Sequence, residues 1–343
     1  MKAVVLVGGE GTRLRPLTET IPKPLVPLVD RPFLHHVLDH LEAHGVHEVI
    51  LSSSYLEPVF AGFIAERRDG KGGGMEVTWI TESTPLGTAG AIANAALTGH
   101  LDDTFLVLNG DILTDLDLAA LVAFHRERGA AATITLAKVD DARPFGLVAL
   151  DGRDRVLEFR EKPVDMVPGL INAGTYVLEP STMEGVPADR PVSIEREVFP
   201  ALIDGASPVF GFASDAYWID LGTPEKYLKA TFDALEGLVG GLEYPAPYVA
   251  EGAEVSLLAR LGRWVVAGPA AAVGDRAEVE DSVLLAGARV RDGAKVRDSI
   301  VGPRAVIGEG AVVDGAVLAE GSAVPPGVHC EGARVGAGAV LQA

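Results

Sequence analysis

The sequence has almost no cysteine, too little positive charge for its acids, and no long apolar run, and each shortage excludes something. Cys330 is the single cysteine, so neither an intramolecular disulfide nor a cysteine-rich metal site can form. The 29 lysines and arginines are outnumbered by 48 aspartates and glutamates, a net charge of −19. Nucleic acid and anionic membrane are therefore excluded as partners held by bulk electrostatics. A small anionic ligand stays open wherever basic residues converge. No apolar stretch approaches membrane-spanning length, and Met1-Lys2 leads straight into a short apolar strand without a cleavage-site pattern. The expectation is a cytoplasmic protein. What is present, 48% apolar and 22% charged residues over 343 positions, suits a globular chain long enough for two cores.

The stretch from Val4 to Pro27 organises the first half. The run Val4-Val5-Leu6-Val7 suits a strand buried on both faces of a parallel sheet. It breaks into Gly8-Gly9-Glu10-Gly11, where the backbone can turn sharply and bring N–H groups to a phosphate; an ordinary tight turn has the same composition. Arg13 and Arg15 follow, and Pro22-Lys23-Pro24 holds a third cation on a stiff segment. The spacing is neither that of a P-loop nor that of a dinucleotide fingerprint, which needs a third glycine.

Farther on, Phe33 to His44 places Leu34, Val37, Leu38 and Leu41 on one helical face, with His36, His40 and His44 mostly opposite. No cysteine or carboxylate in phase completes a metal site, so a solvated histidine face is expected. Glu48 to Leu51 is the next strand, completing a βαβ unit; a helix and a flexible turn at 70–74 follow. Met75 to Thr81 reads as a strand and leads through Glu82 and Pro85 to Gly87-Thr88, the entry to a small-residue helix at 89–97. That entry admits a flat ligand near the backbone or is simply a cap. Phe105 to Leu108 is a buried strand ending in Asn109-Gly110-Asp111. An acid at that place is a magnesium ligand or a turn aspartate. Strands then dominate at 131–139, 145–150, 156–160 and 170–178, before a helix containing Glu195 to Leu202 and a strand at 209–213. Asp220 sits on an apolar-flanked turn, and Thr223-Pro224-Glu225 opens a helix with a threonine cap.

After Gly240 short valine-centred segments alternate with Gly, Ala, Asp and Glu. Asp281-Ser282-Val283-Leu284 matches Asp298-Ser299-Ile300-Val301, and Gly293, Gly310 and Gly327 keep the same step. Apolar positions fall about every six residues within each repeat, the pattern of stacked triangular coils around an aliphatic column. The expected organisation is a first domain at 1–240, a linker at 241–248 and a parallel β-helix at 249–343. The hexapeptide pattern resembles that of left-handed β-helices, which implies that hand. Proteins with such domains include histidine-using acyltransferases, but His329 is the only histidine in the repeat, and a stabilising or oligomerising role is the simpler reading.

Seven blocks in order resemble the sugar-1-phosphate nucleotidyltransferases: Gly8-Gly9-x-Gly11-Thr12-Arg13-Leu14-x-Pro16-Leu17, Pro22-Lys23-Pro24, Leu86-Gly87-Thr88-Ala89-Gly90, Asn109-Gly110-Asp111, Glu161-Lys162-Pro163, Asn172-Ala173-Gly174 and Trp218-x-Asp220-x-Gly222-Thr223-Pro224. The second glycine block, Ser193 to Pro200 and the appended β-helix look most like the mannose-1-phosphate guanylyltransferase branch. The resemblance implies an α/β fold, a Rossmann-like, mostly parallel mixed sheet flanked by helices and followed by the β-helix. It implies that Gly8, Gly9, Gly11 and Thr12 meet the nucleotide, with Arg13 and Lys23 on the phosphates that leave. Glu82, Gly87 and Thr88 would surround the base; Gly146, Glu161, Asn172 and Gly174 the sugar; Lys162 its phosphate. Asp111 and Asp220 would hold Mg2+. Arg13, Lys23, Lys162, Asp111 and Asp220 would be the catalytic set, the partners GTP and mannose-1-phosphate, and the assembly a homo-oligomer. A thymidylyl- or uridylyltransferase acting on glucose-1-phosphate and a non-catalytic, nucleotide-sugar-binding regulatory subunit are the alternatives.

Overall fold

A computed structural model describes residues 1–53, 60–65, 74–82, 84–99 and 101–342. The expected turn at 70–74 lies outside the described residues except for Gly74. The chain divides into two compact units, Met1–Gly9 with Val37–Trp218, and Glu10–His36 with Ile219–Ala343.

Among the described residues the first unit carries a nine-stranded mixed sheet. Its parallel part runs in the order Phe105–Asn109, Lys2–Leu6, Glu48–Ser53, Glu76–Thr81. The apolar runs explain the first three, because a strand covered on both faces needs apolar residues at successive positions. Val4, Val5, Val107 and Leu51 are buried accordingly. Register then sets the geometry that matters. Leu6 lies beside Asn109, so the Gly8-Gly9 turn and the Gly110-Asp111 turn leave the same end of adjacent strands. Gly110 is required there: its N–H donates to the Leu6 carbonyl at 2.9 Å, and a Cβ would sit 2.8 Å from that oxygen.

Gly169–Leu178 runs antiparallel to Phe105–Asn109 and, along its other edge, to Ala132–Val139 and Gly146–Leu150. Its register with Ala132–Val139 shifts between Asn172 and Tyr176, and Gly174 takes the left-handed conformation inside that bulge, φ +75°. Val209–Ala213 extends the sheet parallel to Ala132–Val139. Helices at Phe33–Ala43, 60–65 and Gly87–Gly99 match the expected ones. A further helix, Leu118–Arg128, starts at Asp117, whose side chain accepts from Ala120 N, and stops at left-handed Gly129. The expected helix at 195–202 is instead a π-type turn, Ile194–Val198, followed by an α-helix at Phe199–Asp204.

The expected solvated histidine face is a correction. His36 is buried and its Nε2 lies 3.1 Å from the Leu28 carbonyl. His40 has its pKa lowered to about 4, by burial first and by neighbouring His44 second, against the opposing pull of the Leu116 backbone, Asp115 and Asp117. Segments distant in sequence cover a face that the helix alone would leave wet.

In the second unit, short 3-10 turns at Thr12–Leu14, Leu17–Glu19 and Lys23–Leu25 precede Pro27, whose carbonyl accepts from the Tyr227 hydroxyl at 2.6 Å. Tyr227 belongs to the helix Pro224–Leu235, which Thr223 caps as expected. From Tyr248 onward, short strands stack into three all-parallel sheets, the arrangement of a left-handed β-helix. Tyr248 lies beside Val266, and above it Val266 lies beside Val283, Val283 beside Ile300 and Ile300 beside Val317. Coil length is thus 18 residues at the first step and 17 afterwards. Val279, Val296, Val313 and Cys330 share one column inside the coil, so the lone cysteine is core. His329, next to it, is exposed. Coil corners need left-handed residues, supplied at a constant step by Asp281, Asp298, Gly315 and Gly332. No helix among the described residues is long and apolar enough to cross a membrane.

Candidate active site

In the first unit the site begins where Lys2–Leu6 and Phe105–Asn109 end. Gly9 is exposed, and nothing lies within 4 Å of where its Cβ would be. Gly8 is half-buried beside it. No side chain at Gly9 stands in the way of a phosphate that approaches the turn's N–H groups. Asp111 is half-buried one residue past Gly110.

The loop after Glu76–Thr81 is closed by Glu82. Its buried carboxylate accepts from Ser52 Oγ at 3.0 Å and from Leu86 N at 2.9 Å, so it ties the loop to the end of the neighbouring strand Glu48–Ser53. Gly87 is left-handed, and a Cβ there would stand 2.7 Å from the Val192 carbonyl; one on Gly90 would stand 2.8 Å from the Arg190 carbonyl. What these glycines admit is the chain's own 190–192 segment, whose Val192 carbonyl caps the helix by accepting from Ala89 N at 2.9 Å. Thr88 is equally committed. Its hydroxyl donates to Glu195 Oε2 and accepts from Ile194 N, each at 2.8 Å.

A second group gathers on the antiparallel half. Gly146 is packed shut, since a Cβ would lie 2.6 Å from Phe159 Cζ and 3.0 Å from Glu161 Oε2. Burial, and after it the charge of Glu195, push the Glu161 carboxyl above its ordinary range. Lys162 takes a left-handed φ of +50°, with its N–H on the Phe145 carbonyl. Its ammonium lies 3.9 Å from Glu161 Oε1 and its side chain is 58% exposed, available to an incoming anion. Asn172 Nδ2 donates to the Tyr176 hydroxyl at 2.7 Å and Asn172 Oδ1 accepts from Gly174 N at 2.9 Å. The bulge brings Gly174 so close to Asn109 that a Cβ would meet Nδ2 at 2.6 Å. Trp218 braces the group, donating from Nε1 to the Ala173 carbonyl at 2.8 Å and packing edge-on against Phe145.

Glu195 was not among the residues expected at the site. It accepts from Thr88 and, at 2.7 Å, from Ser193 Oγ, and its charge reaches both Glu161 and Tyr176. The signal was in the Ser193 to Pro200 block, but spacing alone does not show that a π-type turn will turn one of its acids toward a strand end. Such turns are frequent at functional sites.

The second unit holds the remaining expected residues. Gly11 is left-handed, φ +62°, and a Cβ on it would lie 3.0 Å from Lys23 Cβ and 3.1 Å from Thr18 Cγ2. Its missing side chain lets the buried Lys23 stem pass beside the loop. Thr12 and Arg13 are exposed on the 3-10 turn. Asp220 is 8% exposed and its Oδ1 accepts from Lys226 Nζ. Its Oδ2 and Arg13 Nη2 both border the space where Gly222 has no side chain, at 2.6 and 2.8 Å from a would-be Cβ. Asp220 and Arg13 are therefore brought together, and Gly222 is the reason they can be.

Comparison with known proteins points the same way. The Nucleotidyl transferase family matches residues 2–237, and the GMPPB C-terminal domain matches residues 244–340. The mannose-1-phosphate guanylyltransferase of Mycobacterium tuberculosis is 43% identical over 305 residues, 86% of this chain and 82% of that protein. The mannose-1-phosphate guanyltransferase of Candida albicans is 37% identical over 317 residues, 88% of this chain and 86% of that one. Among solved structures, HddC from Yersinia pseudotuberculosis complexed with GMP-PN has a TM-score of 0.57 at 34% identity, covering 67% of this chain and 97% of its own. A Bacillus anthracis protein solved in complex with a sucrose, at 21% identity and a TM-score of 0.61, shares the fold, covering 67% of this chain and 94% of its own. Matched by that family over residues 2–237 and by relatives over most of its length, the chain belongs to the nucleotidyl transferase family, a family of enzymes that join nucleoside triphosphates to sugar-1-phosphates.

Proposed function

We propose that the protein condenses GTP with mannose-1-phosphate, giving GDP-mannose and pyrophosphate. The observation that carries the choice of substrates is the 43% identity to the Mycobacterium tuberculosis relative across 86% of the chain, which takes in the repeat as well as the sheet. A phosphate oxygen of the sugar-1-phosphate attacks the α-phosphorus, a new P–O bond forms in line with the one that breaks, and pyrophosphate leaves with the electron pair. The nucleophile is already ionised at neutral pH, so no general base is needed. Repulsion between anions and their alignment are the obstacles, and fixed cations lower both.

In this reading Gly8, Gly9, Gly11 and Thr12 present backbone to the triphosphate, and Arg13 and Lys23 neutralise the departing pyrophosphate. Lys162 holds the sugar phosphate, while Glu161 and Asn172 bind sugar hydroxyls from the bulged strand, shaped by Gly146 and Gly174. Glu82, Gly87 and Thr88 shape the base side by fixing the loop through the bonds described above. Residues 1–240 carry the chemistry, and the repeat from 249 carries assembly as a homo-oligomer, supported by the exposed Leu257 and Leu258 on its first coil. The reaction is placed in the cytoplasm.

Nucleotidyl transferases of this family generally work with a divalent metal. Asp111 and Asp220 suit Mg2+, since both offer hard carboxylate oxygens and Asp220 Oδ2 borders the Gly222 space. The rest of such an ion's shell would come from substrate phosphates and water. When bound, the ion would supply charge neutralisation at the phosphates.

The test is pyrophosphate release from a matrix of GTP, dTTP, UTP, CTP and ATP against mannose-, glucose- and heptose-1-phosphate. GTP with mannose-1-phosphate should lead by at least about tenfold, a modest transition-state preference. A lead for dTTP or UTP with glucose-1-phosphate would overturn the substrate choice. Nucleotide-sugar binding without turnover of any pair would overturn catalysis and leave the regulatory reading.

A further inference from the structure

Asp220 is nearly buried, and burying a carboxylate is costly without a charged or hydrogen-bonding partner. The partner at Oδ1 is Lys226 Nζ. Lys226 is placed for this by the first turn of the helix Pro224–Leu235: Thr223 caps that helix by accepting from the Lys226 N–H at 3.4 Å, which fixes the lysine backbone six residues beyond Asp220. Its side chain is 34% exposed against 11% for that of Asp220, so the ammonium reaches water by a rotamer change that the carboxylate cannot make. Lysine is also the cation that exchanges most readily, a single point charge on a flexible stem instead of a planar fork gripping two oxygens. On the opposite side, Oδ2 borders the Gly222 space that Arg13 Nη2 also borders.

We propose that Lys226 is a built-in counter-ion of Asp220 that a metal ion must displace, so that Lys226, as a positioning residue, sets how tightly the protein takes its metal. The proposal rests on the reading of Asp220 as a metal ligand given under Proposed function. A metal approaching Asp220 meets a carboxylate already neutralised at one oxygen. Binding therefore includes the cost of breaking the ion pair, and the released ammonium is free to meet an arriving phosphate. Removing the lysine leaves Oδ1 without its counter-ion, which favours the metal.

The experiment is a titration of the full chain with MnCl2 in the absence of nucleotide, following free Mn2+ by electron paramagnetic resonance and the melting temperature in parallel. Lys226→Met keeps the length and helix propensity of the side chain without its charge. It should tighten Mn2+ binding about three- to tenfold, the scale of a partly buried ion pair, and enlarge the Mn2+-induced rise in melting temperature. Lys226→Arg, which keeps a cation at the site, should bind no more tightly than the natural protein. Asp220→Asn should lose the binding. Unchanged or weaker binding in Lys226→Met, or no binding in either it or the natural protein, overturns the proposal. If Asp220→Asn loses Mn2+ while Lys226→Met matches the natural protein, the Lys226 inference fails alone. If Asp220→Asn binds as before, the metal assignment of Asp220 fails and takes the inference with it.

Discussion

The sheet and the β-helix solve the same problem in opposite ways. In the repeat, every strand pairs with the strand one coil away, so the contact partner of Val283 or Val296 is always about 17 residues on. In the sheet, Lys2–Leu6 pairs with Phe105–Asn109, and Thr88 on one helix holds Glu195 more than a hundred residues later. A repeating contact map makes a stiff column whose residues are nearly interchangeable from coil to coil. A non-repeating one makes singular places, where one glycine or one acid has no substitute. Chemistry requires singular places, and the expected site residues all lie outside the coil.

The sharpest way to break that comparison is to neutralise the acids. Asp111→Asn and Asp220→Asn should each lower turnover by at least about a hundredfold, the scale of a lost electrostatic contribution at a phosphoryl centre. Pyrophosphate release checks it, and near-normal rates in both would remove the metal assignment. Neutralising Asp292 or Asp314 on the coils should leave turnover intact.

Legibility follows the same division. Buried parallel strands announce themselves as unbroken apolar runs, and the repeat as a constant step; both were readable because each rests on local pattern. The site blocks were readable by their order, although spacing did not show why Gly87, Gly146 and Gly174 must be glycine: the reason is Val192, Phe159 and Asn109, brought in by tertiary packing. The Leu118–Arg128 helix was unreadable for a different reason. Its buried stripe is Leu118, Leu121 and His125, and a histidine does not count as apolar until its partners are known. Those are Thr133 Oγ1 at 2.9 Å from Nδ1 and Glu179 Oε1 at 3.1 Å from Nε2.

Next in size comes a half-buried histidine, His40, on the helix Phe33–Ala43. His40 titrates at about 4 in the folded protein against an ordinary 6.5, so the unfolded chain takes the proton first. Its contribution is full above pH 6.5 and is lost as the pH falls toward 4, by roughly 3 kcal/mol in all. Denaturant melts at pH 7 and pH 4.5 should therefore differ less for His40→Gln than for the natural protein. Equal differences would mean that His40 is solvated after all.

The glycines sharpen the comparison further, because backbone angle can be held nearly constant while surroundings change. Gly174 and Gly293 have φ of +75° and +64°, yet a Cβ meets Asn109 Nδ2 at 2.6 Å in the first and nothing within 4 Å in the second. Gly293→Ala should cost about 1 kcal/mol, the left-handed penalty alone. Gly174→Ala adds a clash with the Asn109 side chain and should cost about 2–3 kcal/mol, with a loss of activity that Gly293→Ala does not share.

The smallest expected effect asks whether the coils are as interchangeable as they look. Ser282 and Ser299 are fully buried polar residues inside a repeat that is otherwise aliphatic at that level. Each hydroxyl accepts from the N–H one coil above, Ser282 from Ser299 N and Ser299 from Ala316 N, both at 3.0 Å, and donates to a carbonyl two residues back, that of Glu280 or Arg297. The serines thus continue the hydrogen-bond ladder around a corner where Asp281 and Asp298 have turned the backbone left-handed. One coil further on the ladder stops, because Ala316 stands in the serine position. Ser299→Ala leaves the Ala316 N–H buried without its acceptor and should cost about 1–2 kcal/mol. Ala316→Ser should change stability by less than about 0.5 kcal/mol if the coils are equivalent. A large destabilisation by Ala316→Ser would show that the last coils are packed for a purpose the first ones do not serve.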